Sequence, residues 1–241
     1  MKRYRRNSRK NPWRNSLAEK HIQKDVFFAR LLLISIPLMI VCISANITLR
    51  MSNTYQYSLT SSQILNVAPY SVDQTKLVDL FGQYMQHRTD SFALKESVDY
   101  DPQDVFTVKD KVAMHHLRVM TDALLLVGIA ALLVTALSYF MLIRMRRKVI
   151  HMEYFKKSFI IFLVLAAVSA LVKVVPPLRA LTWGRFFQLN HDGSDLLALI
   201  FDHGFYTQVT IFDLIISFVL MAILAYFTWE VAGRKKMFRR R

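Results

Sequence analysis

Four apolar runs, each long enough to cross a lipid bilayer, decide what this chain can fold into. They cover about 27–49, 119–143, 158–175 and 209–231. A helix rises about 1.5 Å per residue and a hydrocarbon core is about 30 Å thick, so runs of this length span it. Backbone N–H and C=O groups find no water at that depth, and a helix satisfies them within its own segment. The first run exceeds the roughly 7–15 apolar residues of a cleaved signal peptide and is read as an uncleaved helix. The third stops at Pro176-Pro177, where helical hydrogen bonding is interrupted. The fold class predicted is therefore all-α: an integral membrane protein of four transmembrane helices, with a long structured extracytoplasmic loop between helices 1 and 2.

The charge pattern orients the spans. The formal net charge of +15 would suggest nucleic acid in a soluble chain, but here the basic residues sit in three short blocks flanking apolar runs. Residues 1–26 carry nine Lys and Arg against Glu19 and Asp25. Residues 144–157 carry Arg144, Arg146, Arg147, Lys148, Lys156 and Lys157 against Glu153. Residues 232–241 carry six and no acid. Four spans put all three blocks on one side, which the positive-inside rule makes the cytoplasm. The expected organisation is a basic cytoplasmic leader (1–26), a four-helix transmembrane domain (27–231) and a basic cytoplasmic tail (232–241). Both ends lie in the cytoplasm, and outer loops cover 50–118 and 176–208. Nucleic acid is not the expected partner; membrane lipid is. The single cysteine, Cys42, excludes an intrachain disulfide and reads as a small buried hydrophobe.

The outer loops hold the features that could carry chemistry. In the long loop, Leu77, Val78, Leu80, Phe81 and Tyr84 recur as on one face of a short amphipathic helix, with Ser71 or Asp73 to cap it. Thr107 or Asp110 is placed to start the second helix early. Trp183, Phe186 and Phe187 in the short loop suit a membrane interface. Five histidines fall on the outer side: His87, His115, His116, His191 and His203. His115 and Asp122 are seven apart and share a helical face, and Arg118 is one turn from His115. A carboxylate that orients an imidazole supports a general base, and an acid near membrane depth is a candidate site. The competing reading is a polar rim with a hydrated Asp122. His191 is a candidate helper or a turn residue. A zinc site from His115, His116, His191 and Asp195 is conceivable, but no spacing demands it. Lys173, near the outer end of the third run, is expected to snorkel to the interface.

Three stretches resemble one known family. They are Leu65-Asn-Val with Ser71 to Met85, Phe106-Thr107 through Met114-His-His-Leu-Arg-Val119, and Asn190 through Asp195-Leu-Leu-Ala-Leu-Ile-Phe-Asp-His-Gly-Phe-Tyr206. With the four-span order and the long-then-short outer loops, they are similar to the bacterial family that includes the lipoprotein intramolecular transacylase. The resemblance implies a shift of the sn-2 acyl chain of a diacylglyceryl-cysteine lipoprotein onto its own α-amine, at the outer face of the cytoplasmic membrane. It implies no cofactor. It makes His116, or His115, the base, with Asp122, Arg118, His191 and Asp195 in support. The chain departs from the family pattern twice. The family's second outer histidine has no counterpart in Leu178–Trp183, and Asp202 stands where the family has a proline. Three readings follow: an acyltransferase-like membrane enzyme, a non-catalytic lipid- or partner-binding paralogue, and a small channel subunit. The last is poorly served by helix cores with few polar groups. The oligomeric state is not legible.

Overall fold

The computed structural model describes residues 12–61, 73–98, 101–145, 148–185, 197 and 200–233. Helix α1 (Pro12–Arg50) crosses the bundle and leads into α2 (Ser52–Ser61) and α3 (Gln74–Met85) beyond its C-terminal end, the side expected to face outward. A two-stranded antiparallel hairpin follows, β1 (Lys95–Val98) and β2 (Asp101–Asp104), with Lys95 paired to Asp104. Helices α4 (Val108–Arg144) and α5 (Lys148–Val174) form a hairpin across the membrane. Then come the short α6 (Pro176–Arg179), a π-helical turn (Ala180–Gly184) and the last helix, α7 (His203–Gly233).

Four segments are long and apolar enough to cross a membrane: Val26–Arg50, Val108–Arg144, Met152–Val174 and His203–Glu230. Their outward residues are large and apolar, among them Leu126, Leu133, Leu137 and Phe140 on α4 and Ile215, Ile223 and Trp229 on α7. An apolar belt of that size is a lipid-facing surface. The fold is the four-span helical one expected; among the described residues only the small hairpin departs from it.

The helices outrun the apolar signal. α4 begins at Val108, eleven residues before the predicted start of its span, because a capping box opens it. Thr107 Oγ1 accepts from the Asp110 backbone N–H, and the Asp110 carboxylate accepts from the Thr107 N–H. At 37 residues, α4 is about 55 Å long, so its outer turns stand above the bilayer. α7 likewise begins at His203, six residues before its expected start. There Asp202 Oδ1 accepts the Phe205 N–H at 2.8 Å and serves as a helix cap. Asp73 caps α3 through Thr75 N–H. α5 ends because Val175, preceding a proline, is pushed into extended backbone (φ −79, ψ 115).

Helix α1 is the centre of the bundle and packs against α4, α5 and α7. Gly128 of α4 lets α1 come close: a Cβ there would lie 3.0 Å from Ile43 Cγ1. Small polar pairs tie the helices where water is absent. Thr135 Oγ1 donates to Ser35 Oγ at 2.8 Å, and Asn46 Nδ2 donates to the Thr121 carbonyl at 2.6 Å. Lys173 does not snorkel. It is buried and bonds the buried Asp213, whose other oxygen accepts from Ser44 Oγ at 2.6 Å; Ser217 Oγ donates in turn to Ser44. Asp213 lies ten residues, about three turns, from the start of its span, within reach of the lysine, so the pair forms inside the bundle.

Above the membrane, α2, α3 and the outer turns of α4 and α7 share an aromatic core. Tyr55 stacks on Phe81 (centroids 4.8 Å apart), and Phe92 meets Phe106 and Phe201 meets Phe205 at 4.5 Å. Tyr55 Oη donates to the Leu49 carbonyl at 2.7 Å. This cap fixes the ends of α1 and α3 against α4, and the candidate site lies at that junction.

Candidate functional site

The site begins with the way α3 stops. Its last turn closes with His87 N–H on the Tyr84 carbonyl (3.2 Å) and Arg88 N–H on the Gln83 carbonyl (2.8 Å). That is the Schellman pattern, which needs a left-handed residue after the helix cap, usually glycine. Here the residue is His87, at φ 59. A side chain in that region costs about 1 kcal/mol, and such strain clusters at functional positions.

The left-handed turn carries the His87 ring onto the outer part of α4. His87 Nε2 meets Asp122 Oδ1 at 2.9 Å. Arg118 donates to His87 Nδ1 from Nε at 3.1 Å and also from Nη2. A guanidinium only donates, so Nδ1 carries the lone pair and the neutral ring keeps its proton on Nε2, facing the carboxylate. Asp122 is held in turn by Arg50 Nη2 at 2.6 Å, from the last residue of α1. Gln86 Nε2 donates to the Arg50 carbonyl at 3.1 Å and ties the end of α3 to the end of α1. Arg118 lies 4.7 Å over the Tyr84 ring and reaches the Thr89 carbonyl at 3.2 Å, with Asp90 at 3.8 Å. His87 and Asp122 keep about two-fifths of their side-chain surface exposed, whereas Arg118 is mostly covered.

Of the residues expected to act, Asp122 and Arg118 are in this cluster. His115 and His116 are not. Both rings are exposed, 6.5 Å apart, and neither hydrogen-bonds within the described residues. The reason is distance along the helix: His115 is two turns, about 10.5 Å, above Asp122, and the imidazole beside the acid comes from another element. His191 and Asp195 lie outside the described residues. Among the described residues no three His, Cys, Asp or Glu converge as metal ligands. His87 was legible only through a local clue. The amphipathic run ends at Gln86-His87 with no Gly or Asn to take the left-handed stop.

Residues 30–193, more than half of the chain, match the model of the family described as lipoprotein intramolecular transacylase Lit. The chain belongs to the Lit family. No curated protein matches it. Solved structures of the membrane integral lipoprotein intramolecular transacylase Lit from Bacillus cereus share its fold. One carries a histidine-to-arginine mutation (TM-score 0.69, 11% identity, 94% of this chain and 99% of that one). Another carries a histidine-to-alanine mutation (TM-score 0.68, 12% identity, 92% and 99%). A third has TM-score 0.63, 10% identity and coverage of 86% and 97%. The chain is thus a Lit-like multi-pass membrane protein.

Proposed function

We propose that this Lit-family protein catalyses intramolecular acyl transfer on a diacylated lipoprotein at the outer face of the bacterial cytoplasmic membrane, with His87 as the general base. The observation that carries the reading is the His87 ring set between a carboxylate on Nε2 and an arginine on Nδ1, at a strained helix stop. An Asp–His pair presents a basic nitrogen and stabilises the imidazolium that forms. Arg118 marks where the substrate arrives: the lipoprotein's α-amine replaces it at Nδ1, and the displaced guanidinium remains beside the reacting carbonyl.

The amine nitrogen bonds to the carbonyl carbon of the sn-2 ester and gives its proton to Nδ1. Arg118 stabilises the oxyanion of the tetrahedral intermediate. The carbon–oxygen ester bond then breaks, and the glyceryl oxygen takes the proton back from the imidazolium. Asp122 holds the ring throughout, and Arg50 holds Asp122. The products are an N-acylated cysteine and a free glyceryl hydroxyl on the same lipoprotein. In this reading His115 and His116 are not catalytic, and the ends of the chain, with their basic blocks, lie in the cytoplasm opposite the site.

The test is expression in a bacterium that makes only diacylated lipoproteins, followed by mass spectrometry of their N-terminal peptides. The N-acylated lyso-form should accumulate with the natural chain and be missing with empty vector. If the lyso-form is missing despite verified membrane insertion, lipoprotein is not the substrate.

A further inference from the structure

A second cationic group takes no part in the His87 cluster, and the acyl-transfer reading does not use it. Arg179 closes α6, just past the outer end of the third span, and His203 opens the fourth. The Arg179 guanidinium lies 4.7 Å over the Tyr206 ring, and Nη1 faces His203 Nδ1 at 3.2 Å. A guanidinium only donates, so neutral His203 holds its proton on Nε2, turned away from Arg179. The guanidinium N–H groups that do not face His203 are left to donate to a ligand, while His203 and Tyr206 hold the cation in place. Arg50 and Arg118 each meet an aspartate, but Arg179 meets no carboxylate among the described residues. The aromatic face holds the cation in place before any ligand arrives, which lowers the ordering cost of binding.

The surroundings name the class of ligand. Leu178 and Leu181, on the same connecting segment, are exposed at 40% and 65%, next to exposed Pro176 and Pro177. Trp183 packs edge-on against Tyr206 at 5.4 Å. Apolar side chains left uncovered at the end of a span, with Trp and Tyr beside them, belong at the boundary between acyl chains and headgroups. The anion present in quantity at that depth is the phospholipid phosphodiester, and a guanidinium fork matches two of its oxygens. We propose that Arg179 and His203 form a site for the phosphate of a membrane phospholipid, whose acyl chains run along Leu178 and Leu181. The site does not depend on the identity of the catalytic base.

Native mass spectrometry of the full chain, titrated with phosphatidylglycerol in detergent, tests this. Arg179→Gln should weaken lipid binding about tenfold, the loss expected for a charge-assisted pair. Arg179→Lys keeps the charge without the fork and should fall between the two. Arg185→Gln, an exposed arginine on the same segment, should leave binding unchanged. Diacylglycerol, which has the chains and no phosphate, should bind no better to the natural chain than to Arg179→Gln. Glycerol 3-phosphate at the lipid's concentration should not displace it. Equal losses at Arg179 and Arg185 would mean diffuse charge attraction and overturn the site. Diacylglycerol binding as tight as phosphatidylglycerol would do the same, leaving an apolar surface only. Displacement by glycerol 3-phosphate mole for mole would make it a soluble-phosphate site and refute the lipid assignment. Arg179→Lys keeps the test valid should the glutamine variant fail to fold.

Discussion

His87 is asked to do two things that oppose each other. It holds a left-handed backbone that glycine would take more cheaply, and it bonds both Asp122 and Arg118. Replacing it with glycine relieves about 1 kcal/mol of backbone strain and removes half-exposed hydrogen bonds worth about as much. His87→Gly should therefore melt close to the natural chain while losing acyl transfer. A large drop in melting temperature would make His87 a structural residue. Asp122→Asn keeps the shape but not the charge that stabilises the imidazolium. Its single-turnover rate should fall by about 100-fold or more. A rate within a few-fold of natural would remove Asp122 from the mechanism. Tyr55 gives a pH signature in the outer cap. Burial pushes its phenol well above the ordinary value of 10.0, so the folded state keeps a proton that the unfolded state releases. Its contribution is whole below pH 10 and is lost as pH rises beyond it. Tyr55→Phe should melt lower at neutral pH by about 1 kcal/mol of stability, for the lost bond to Leu49, and show a shallower alkaline decline.

At the scale of elements, the buried Lys173–Asp213 pair and the close α1–α4 crossing are the points most sensitive to change. Asp213→Ala strands a buried ammonium and should cost about 3–5 kcal/mol, whereas Lys173→Met with Asp213→Leu should cost much less. Thermal unfolding in nanodiscs measures both; equal costs would mean that the charge itself is not what matters. Gly128→Leu forces α1 from α4 at Ile43 and should destabilise by about 1–3 kcal/mol. Hydropathy located all four helices because it reports the stretch inside lipid. Hydropathy stops short of their outer turns: the early start of α4 was legible from Thr107 and Asp110, whereas the Asp202 cap and the aromatic core were not. It also misplaced Lys173, since a residue near the end of a span can turn inward when an acid waits on the neighbouring helix. The 95–104 hairpin left no alternation strong enough to read.

For the molecule as a whole, span number and membrane class were open in the sequence because apolar length and basic flanks report them directly. Half of the candidate cluster was legible. Asp122 and Arg118 could be chosen from their depth and spacing on one helix, but their histidine comes from the turn that ends α3, about thirty residues away, and no helical periodicity links the two. Orientation has its own check. Gln83→Cys should react with a membrane-impermeant maleimide in intact cells, and Lys157→Cys only after permeabilisation; the sole native thiol, Cys42, is buried. The reverse pattern would turn the protein over. Everything in the proposed reaction turns on His87, and neither His115 nor His116, being the base. Mass spectrometry of lipoprotein N-termini from cells expressing the natural chain, His87→Ala, or His115→Ala with His116→Ala, at matched levels, decides it. Lyso-form lipoprotein is expected with the natural chain and the double variant, and none with His87→Ala. Lyso-form persisting in His87→Ala, or vanishing in the double variant, would contradict it.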